Sequence, residues 1–364
     1  MHRGVREFVE WVDGLGTDAG LNPPAQTADL RGLEQVLGEP LPADLRLVLS
    51  RFNGGTLPCG IMLPAGTEPG SIGDAIRQYA EAVGADFLDP ELLLPFHRTP
   101  EGSLLAFDRS SGPVSDTWPI VDYYSETGEL RLVHRTFDGW CRRMVADFTS
   151  GDPEEFTVET YLRAGLRHAE VEPDVATAHA TVAHAYRRAG EPERALHAYL
   201  RAAECLPPLH WCDWEALKIA ALLGDESRAL KAATQLCSRA PRERWKERET
   251  TPARVAEAIG WIVEEAKRPR PWLELLRALE RQSEEEAPVV AAIIAAMGGE
   301  MPPTRPVRDA SPVPAQDDSN WWGAVQQAYA SGVVRDDDLL FDPVLRPLGR
   351  RRPFGEILRI RRDF

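Results

Sequence analysis

Nowhere in the 364 residues does an apolar run approach the roughly 20 residues that a bilayer-spanning helix requires. The first segment, Met1 to Trp11, breaks its apolar positions with Arg3, Glu7 and Glu10 and so lacks the unbroken centre of a secretory leader. Cysteine is scarce: Cys59, Cys141, Cys205, Cys212 and Cys237, an odd number with no CxxC pair. That excludes a disulfide framework and fits a reducing compartment, so the expected location is cytoplasmic. Lysine stands only at Lys218, Lys231, Lys246 and Lys267. Asn53-Gly54-Gly55 is not followed by Gly-Lys-Ser/Thr, which excludes a phosphate-cradling P-loop and leaves a helix stop entering a turn.

Apolar residues make up 43% and charged residues 27%, proportions of a chain that folds around a core. The formal net charge is −15, unevenly spread. Residues 1–152 hold 23 acidic and 12 basic side chains, against 34 and 30 in the rest. An acidic front half repels phosphates and argues against nucleic acid; it suits a basic protein partner, and also serves plain solubility.

Repetition organises the second half. Gly190, Ala195 and Pro207 recur 34 residues later as Gly224, Ala229 and Pro241, the period of a tetratricopeptide repeat. In the unit 176–209 a first helix ends at Gly190, which tolerates a left-handed cap. The second opens on Pro192, where a missing N–H costs little, and stops at Pro207 and Pro208. The unit 210–243 repeats this plan, with Gly224 as the break, Asp225 as the cap of its second helix and Pro241 as the end. Hairpins of this kind bury their apolar faces only by stacking, so neighbours are required. Helices are expected over 156–171, 252–267, 271–281 and 289–297, giving a repeat region of 153–300 with a degenerate third hairpin. Residues 301–320, with five prolines, read as a linker. Residues 321–364 form a helical tail, with helices over 321–330 and 353–362 and a short segment at 337–341. Arg350 to Arg352, Arg359, Arg361 and Arg362 make its end basic, for solvent or for intramolecular pairing.

In stacked hairpins the first helix of each pair lines the groove. That phasing brings His184, Arg187 and Arg188 together with Trp211, Trp214 and Lys218. Arginine and aromatic residues anchor protein interfaces, so the groove is expected to take an acidic or C-terminal peptide. The plainer alternative is that both tryptophans pack against the next hairpin.

The front half reads as α+β. A helical extension covers 1–27. Helices follow over 29–37, 43–52, 72–83 and 139–148, the last capped by Asp138. Strands are expected at 61–63, 103–107, 119–124 and 130–134, the final pair joined through Glu126-Thr127-Gly128. Residues 28–152 carry an ordered set of short signals: Leu37-Gly38, Leu41-Pro42, Asp44-Leu45, Asn53-Gly54-Gly55, Leu94-Pro95-Phe96, Gly102, Phe107-Asp108, Pro119-Ile120-Val121 and Phe137-Asp138. That series resembles the SUKH superfamily, also called the SMI1/KNR4 family. The resemblance implies an α+β domain with a mixed or antiparallel sheet and flanking helices, followed here by an all-α solenoid of helical hairpins. It also implies a non-catalytic binder: bacterial members are similar to immunity proteins that neutralise a toxin encoded nearby, and fungal members to regulatory interaction proteins. The excess of arginine over lysine points to a GC-rich bacterial gene.

Chemistry is thin. Cys205, His210, Cys212 and Cys237 lack the tight knuckle spacing of a zinc site, and small residues packed between hairpins account for them. His179 and His184 stand five apart and share no helical stripe. Cys141 near His134 lies in an amphipathic helix without a base and its orienter. No cofactor, metal or catalytic residue is expected. The acidic candidates for partner contact are Asp108, Asp116, Asp122 and Glu126. The leading expectation is a cytoplasmic immunity protein that masks a toxin's active site, with no nucleic acid and no membrane involved. A regulatory scaffold using the groove, or a ligand-binding or enzymatic pocket in the α+β domain, are the alternatives.

Overall fold

The computed structural model describes residues 2–16, 19–82, 92–111, 118–124, 129–152, 155–205, 209–238, 251–263, 269–298, 318–345 and 353–363. The chain divides into two compact units, Met1–Glu154 with Arg163–Ala178, and Glu155–Leu162 with His179–Phe364.

The first unit is built on a seven-stranded antiparallel meander, each strand pairing with the next in sequence. The strands are β1 (Gly20–Leu21), β2 (Gly55–Leu57), β3 (Gly60–Met62), β4 (Leu93–Arg98), β5 (Leu104–Asp108), β6 (Ile120–Tyr124) and β7 (Glu129–His134). Period-two alternation sorts the central strands. Leu105, Phe107 and Ile120 join the main core, while Ala106, Val121 and Tyr123 form a small cluster on the other face. Helices α1 (Arg3–Gly14), α2 (Thr27–Leu37), α3 (Ala43–Arg51), α4 (Ile72–Ala82) and α5 (Phe137–Thr149) supply the rest of the core. Its centre is aromatic: the Trp140 ring lies 5.1 Å from those of Phe8 and Phe96 and stacks on Phe137 at 5.4 Å. The extension read at 1–27 thus contributes Val5, Phe8 and Val12 to this core.

One assignment is corrected here. The N-cap of α5 is Thr136, whose side chain accepts from Gly139 N at 3.0 Å, and the helix starts at Phe137. Asp138 serves a different helix: its Oδ1 accepts from Gly4 N at 2.6 Å and Val5 N at 3.3 Å, satisfying two of the free donors at the start of α1.

Helix α6 (Val158–Val171) precedes the helical series α7 (Ala176–Arg188), α8 (Pro192–Glu204), α9 (His210–Leu223), α10 (Glu226–Ser238), α11 (Pro252–Val263), α12 (Pro269–Glu280), α13 (Ala287–Gly298), α14 (Asp318–Ala330), α15 (Asp336–Phe341) and α16 (Gly355–Leu358). Gly190 and Gly224 have φ of 77° and 71°, the left-handed geometry expected of helix ends. Asp225 caps α10 through Arg228 N at 3.0 Å. Pro207, Pro208, Pro241 and residues 301–317 of the expected linker lie outside the described residues. In the second unit α9 is the central element, packing against α8, α10, α11, α15 and α16. Its alanines and leucines from Ala216 to Leu222 are buried accordingly. The tail helix expected over 353–362 is shorter than expected. After α16 the chain leaves helical geometry, and Arg362 N donates to Arg188 O at 2.8 Å.

Candidate functional site

The second unit holds a cavity of about 960 Å³. His184, Arg187 and Arg188 reach it from the last turns of α7, and Trp211 and Lys218 from α9, joined by Tyr199 and Arg254. Five of the six groove residues expected from sequence therefore share one cavity. Trp214 does not line it: it is 1% exposed and stacks at 5.9 Å on Phe341, a residue of the tail helix α15 and not of the next hairpin.

The other wall comes from the tail. Asp336, at the start of α15, receives a two-pronged hydrogen bond from Arg187, Nε to Oδ2 at 2.8 Å and Nη2 to Oδ1 at 2.7 Å. Tyr329 Oη donates to the same Oδ1 at 2.7 Å, and the guanidinium groups of Arg187 and Arg362 lie over the Tyr329 ring. Lys218 Nζ reaches Asp337 Oδ1 at 2.5 Å and Glu215 Oε1 at 2.7 Å, and Arg254 stands 3.4 Å from Asp337. Both cations are buried, Arg187 at 3% and Lys218 at 4% exposure. Burial opposes the charge on Asp336, yet Arg187 and Arg362 outweigh it and hold the carboxyl below its usual range. Burial likewise opposes the charge on Lys218, and Glu215 and Asp337 outweigh it, raising its pKa. Burial, with Arg188, Arg362 and Arg187 nearby, lowers His184 to about 4, so its ring is neutral at pH 7. Six cations and five carboxylates of this chain line the cavity, and the acidic turn pairs with the buried cations. This pairing was not visible in sequence, because Arg187 and Asp336 stand 149 residues apart. The groove residues were visible, because they recur at helical spacing.

The tail arginines also find acidic partners: Arg359 bonds Glu193, and Arg361 bonds Glu159. Arg188 Nη1 donates to Asp363 O at 2.8 Å.

In the first unit the acidic candidates are not gathered. Asp108 ends β5 and its Oδ1 accepts from Ser110 N at 2.9 Å. Asp122 is opposite Leu105 in the β5–β6 register, so strand alternation projects it from the other face of the sheet. Asp116 and Glu126 lie outside the described residues. Cys141 is fully buried, and burial raises its pKa well above that of a free thiol, the inert form. The side chain of His210 lies outside the described residues; among those described, His134, His168 and Glu172 form a cluster of potential metal ligands, and Cys205, Cys212 and Cys237 do not. No helix of the described residues is long and apolar enough to cross a membrane.

Residues 24–143 match the SMI1 / KNR4 family (SUKH-1). No curated protein matches the chain.

Proposed function

From an SMI1/KNR4 family domain at residues 24–143, we propose that this protein is a non-catalytic protein binder of the immunity type, which neutralises a toxin encoded nearby by covering its active site. The family match carries the proposal. The charge distribution supports it: residues 1–152 hold 23 acids against 12 bases, a field that suits a basic protein partner through charge complementarity. Burial raises the pKa of the Cys141 thiol, so this residue is not an activated nucleophile. The test is co-expression of the full chain with the product of the adjacent gene. Restored growth and a stable purified complex are the expected result; a toxic neighbour that neither binds nor is neutralised would refute the reading.

A second reading, a regulatory scaffold that takes a peptide through its helical hairpins, draws on the cavity shared by His184, Arg187, Arg188, Trp211 and Lys218. It requires an acidic peptide to bind beside, or instead of, the Asp336–Asp338 turn. Saturable binding of a labelled acidic peptide to the full chain, weakened in Arg188→Ala, would favour it over the first.

A further inference from the structure

His134, His168 and Glu172 meet inside the first unit, none more than 5% exposed. They come from separate elements. His134 ends β7, whereas His168 and Glu172 stand four apart on one face at the end of α6 and just beyond it. Glu172 Oε2 lies 2.5 Å from His134 Nδ1 and 3.5 Å from His168 Nε2. One ligand atom from each residue falls within 4.8 Å of the other two. The second carboxylate oxygen is fixed, accepting from Arg135 N at 2.7 Å.

One feature goes beyond an ordinary buried ion pair. One imidazole suffices to partner this carboxylate, yet a second is brought in, and its Nε2 has no hydrogen-bond partner although no solvent reaches it. Buried polar atoms are nearly always satisfied, so an orphan aimed at a carboxylate marks a missing partner.

We propose that His134, His168 and Glu172 form a binding site for a divalent transition-metal ion, zinc by preference. Two imidazoles and one carboxylate are a zinc donor set. Ligands at about 2.0–2.1 Å in tetrahedral array stand roughly 3.3–3.4 Å apart. The His168–Glu172 separation of 3.5 Å already fits. His134 and Glu172 must part by about 0.8 Å, with the imidazole proton moved to Nε2. Arg143, whose charge is felt by both histidines, is tied to Asp147 at 2.7 Å and so opposes the ion only weakly. All three ligands are buried, and the fourth tetrahedral position would fall to water. The ion would clip the end of β7 to the end of α6, an anchor rather than a reaction centre.

The test uses the full chain, stripped with a chelator and titrated with zinc and, separately, with cobalt. The expected result is one ion per chain and a melting temperature raised by roughly 5–10 °C when free zinc is about a hundredfold above its Kd. Cobalt should give visible ligand-field bands without the near-ultraviolet band of a thiolate ligand. His168→Gln should bind at least about tenfold more weakly while the metal-free protein melts as before, because His168 donates no bond to lose. His197→Gln, an exposed histidine elsewhere, should bind as the parent does. If His168→Gln fails to fold, Glu172→Gln, which keeps the acceptor for Arg135 N, reports the same loss. No uptake by the parent protein, a thiolate band, or unchanged affinity in either variant would overturn the proposal.

Discussion

His97 stands in the core of the first unit, between Phe96 and Trp140, 1% exposed and with neither ring nitrogen hydrogen-bonded. Burial lowers its pKa to about 4, against about 6.5 for a free imidazole. The unfolded chain therefore takes up the proton first, so folding stability is intact above pH 6.5 and falls as the pH drops towards 4. His184 is also lowered to about 4 and His168 to about 3, and they act in the same direction over similar windows. Thermal melts from pH 8 to pH 4 should show stability declining below about pH 6.5. His97→Leu should remove roughly 3 kcal/mol of that decline, the worth of a fall from 6.5 to about 4. An unchanged pH profile in this variant would mean that the ring finds solvent or a partner. The residue scale is also where sequence reading fell short. A histidine inside an apolar strand looks like any strand residue, and Asp138 looks like the cap of the helix it begins. Its real partners, Gly4 N and Val5 N, are more than 130 positions away.

Elements were legible wherever local chemistry punctuates the chain. Gly190, Pro192, Gly224 and Asp225 bracket helices within one or two residues of their expected ends, because left-handed caps and proline starts are decided by a few neighbours. The meander was legible in β3 and β5 to β7, but not in β4, whose nearly continuous apolar run shows no alternation, nor in β1 and β2, two and three residues long, which form by pairing with each other and with β3. The final helix was overextended to Arg362 because apolar spacing continues past Leu358, whereas the backbone there bonds to Arg188 O instead. That docking gives Gly190 a second duty. A Cβ at this position would collide with the carbonyl of Arg359, besides straining the left-handed cap. Gly190→Ala should lower stability by more than the roughly 1 kcal/mol expected of the backbone strain alone, measured by urea unfolding against Gly224→Ala, where nothing crowds the added methyl. The same scale holds the acidic turn. Asp336→Asn leaves Arg187 buried without its counter-charge and should cost about 3–5 kcal/mol. The double change Arg187→Met with Asp336→Leu should recover much of that loss, since it removes both charges together. Equal losses in the single and double variants would show that Asp336 is held by Tyr329 and not by the ion pair.

Across the whole molecule the charges of the two halves are used differently. In the helical half many cations are spent inside the fold: Arg187 on Asp336, Lys218 on Glu215 and Asp337, Arg359 on Glu193 and Arg361 on Glu159. The front half keeps acids such as Glu10, Glu68 and Glu101 exposed on its surface, within a segment of 23 acids and 12 bases. A partner approaching this region meets an uncompensated negative field. Long-range attraction of this kind acts on encounter and is screened beyond about 10 Å at 0.1 M salt. If the partner is a basic toxin, its association rate should fall by about tenfold or more between low and high salt, while dissociation changes little. The triple change Glu10→Gln, Glu68→Gln and Glu101→Gln should slow association at low salt and leave the dissociation rate and the melting temperature near those of the parent. Stopped-flow binding at a series of salt concentrations separates the two rates. A salt-independent association rate would place the recognition surface away from the acidic half, and would leave the helical groove as the better place to look.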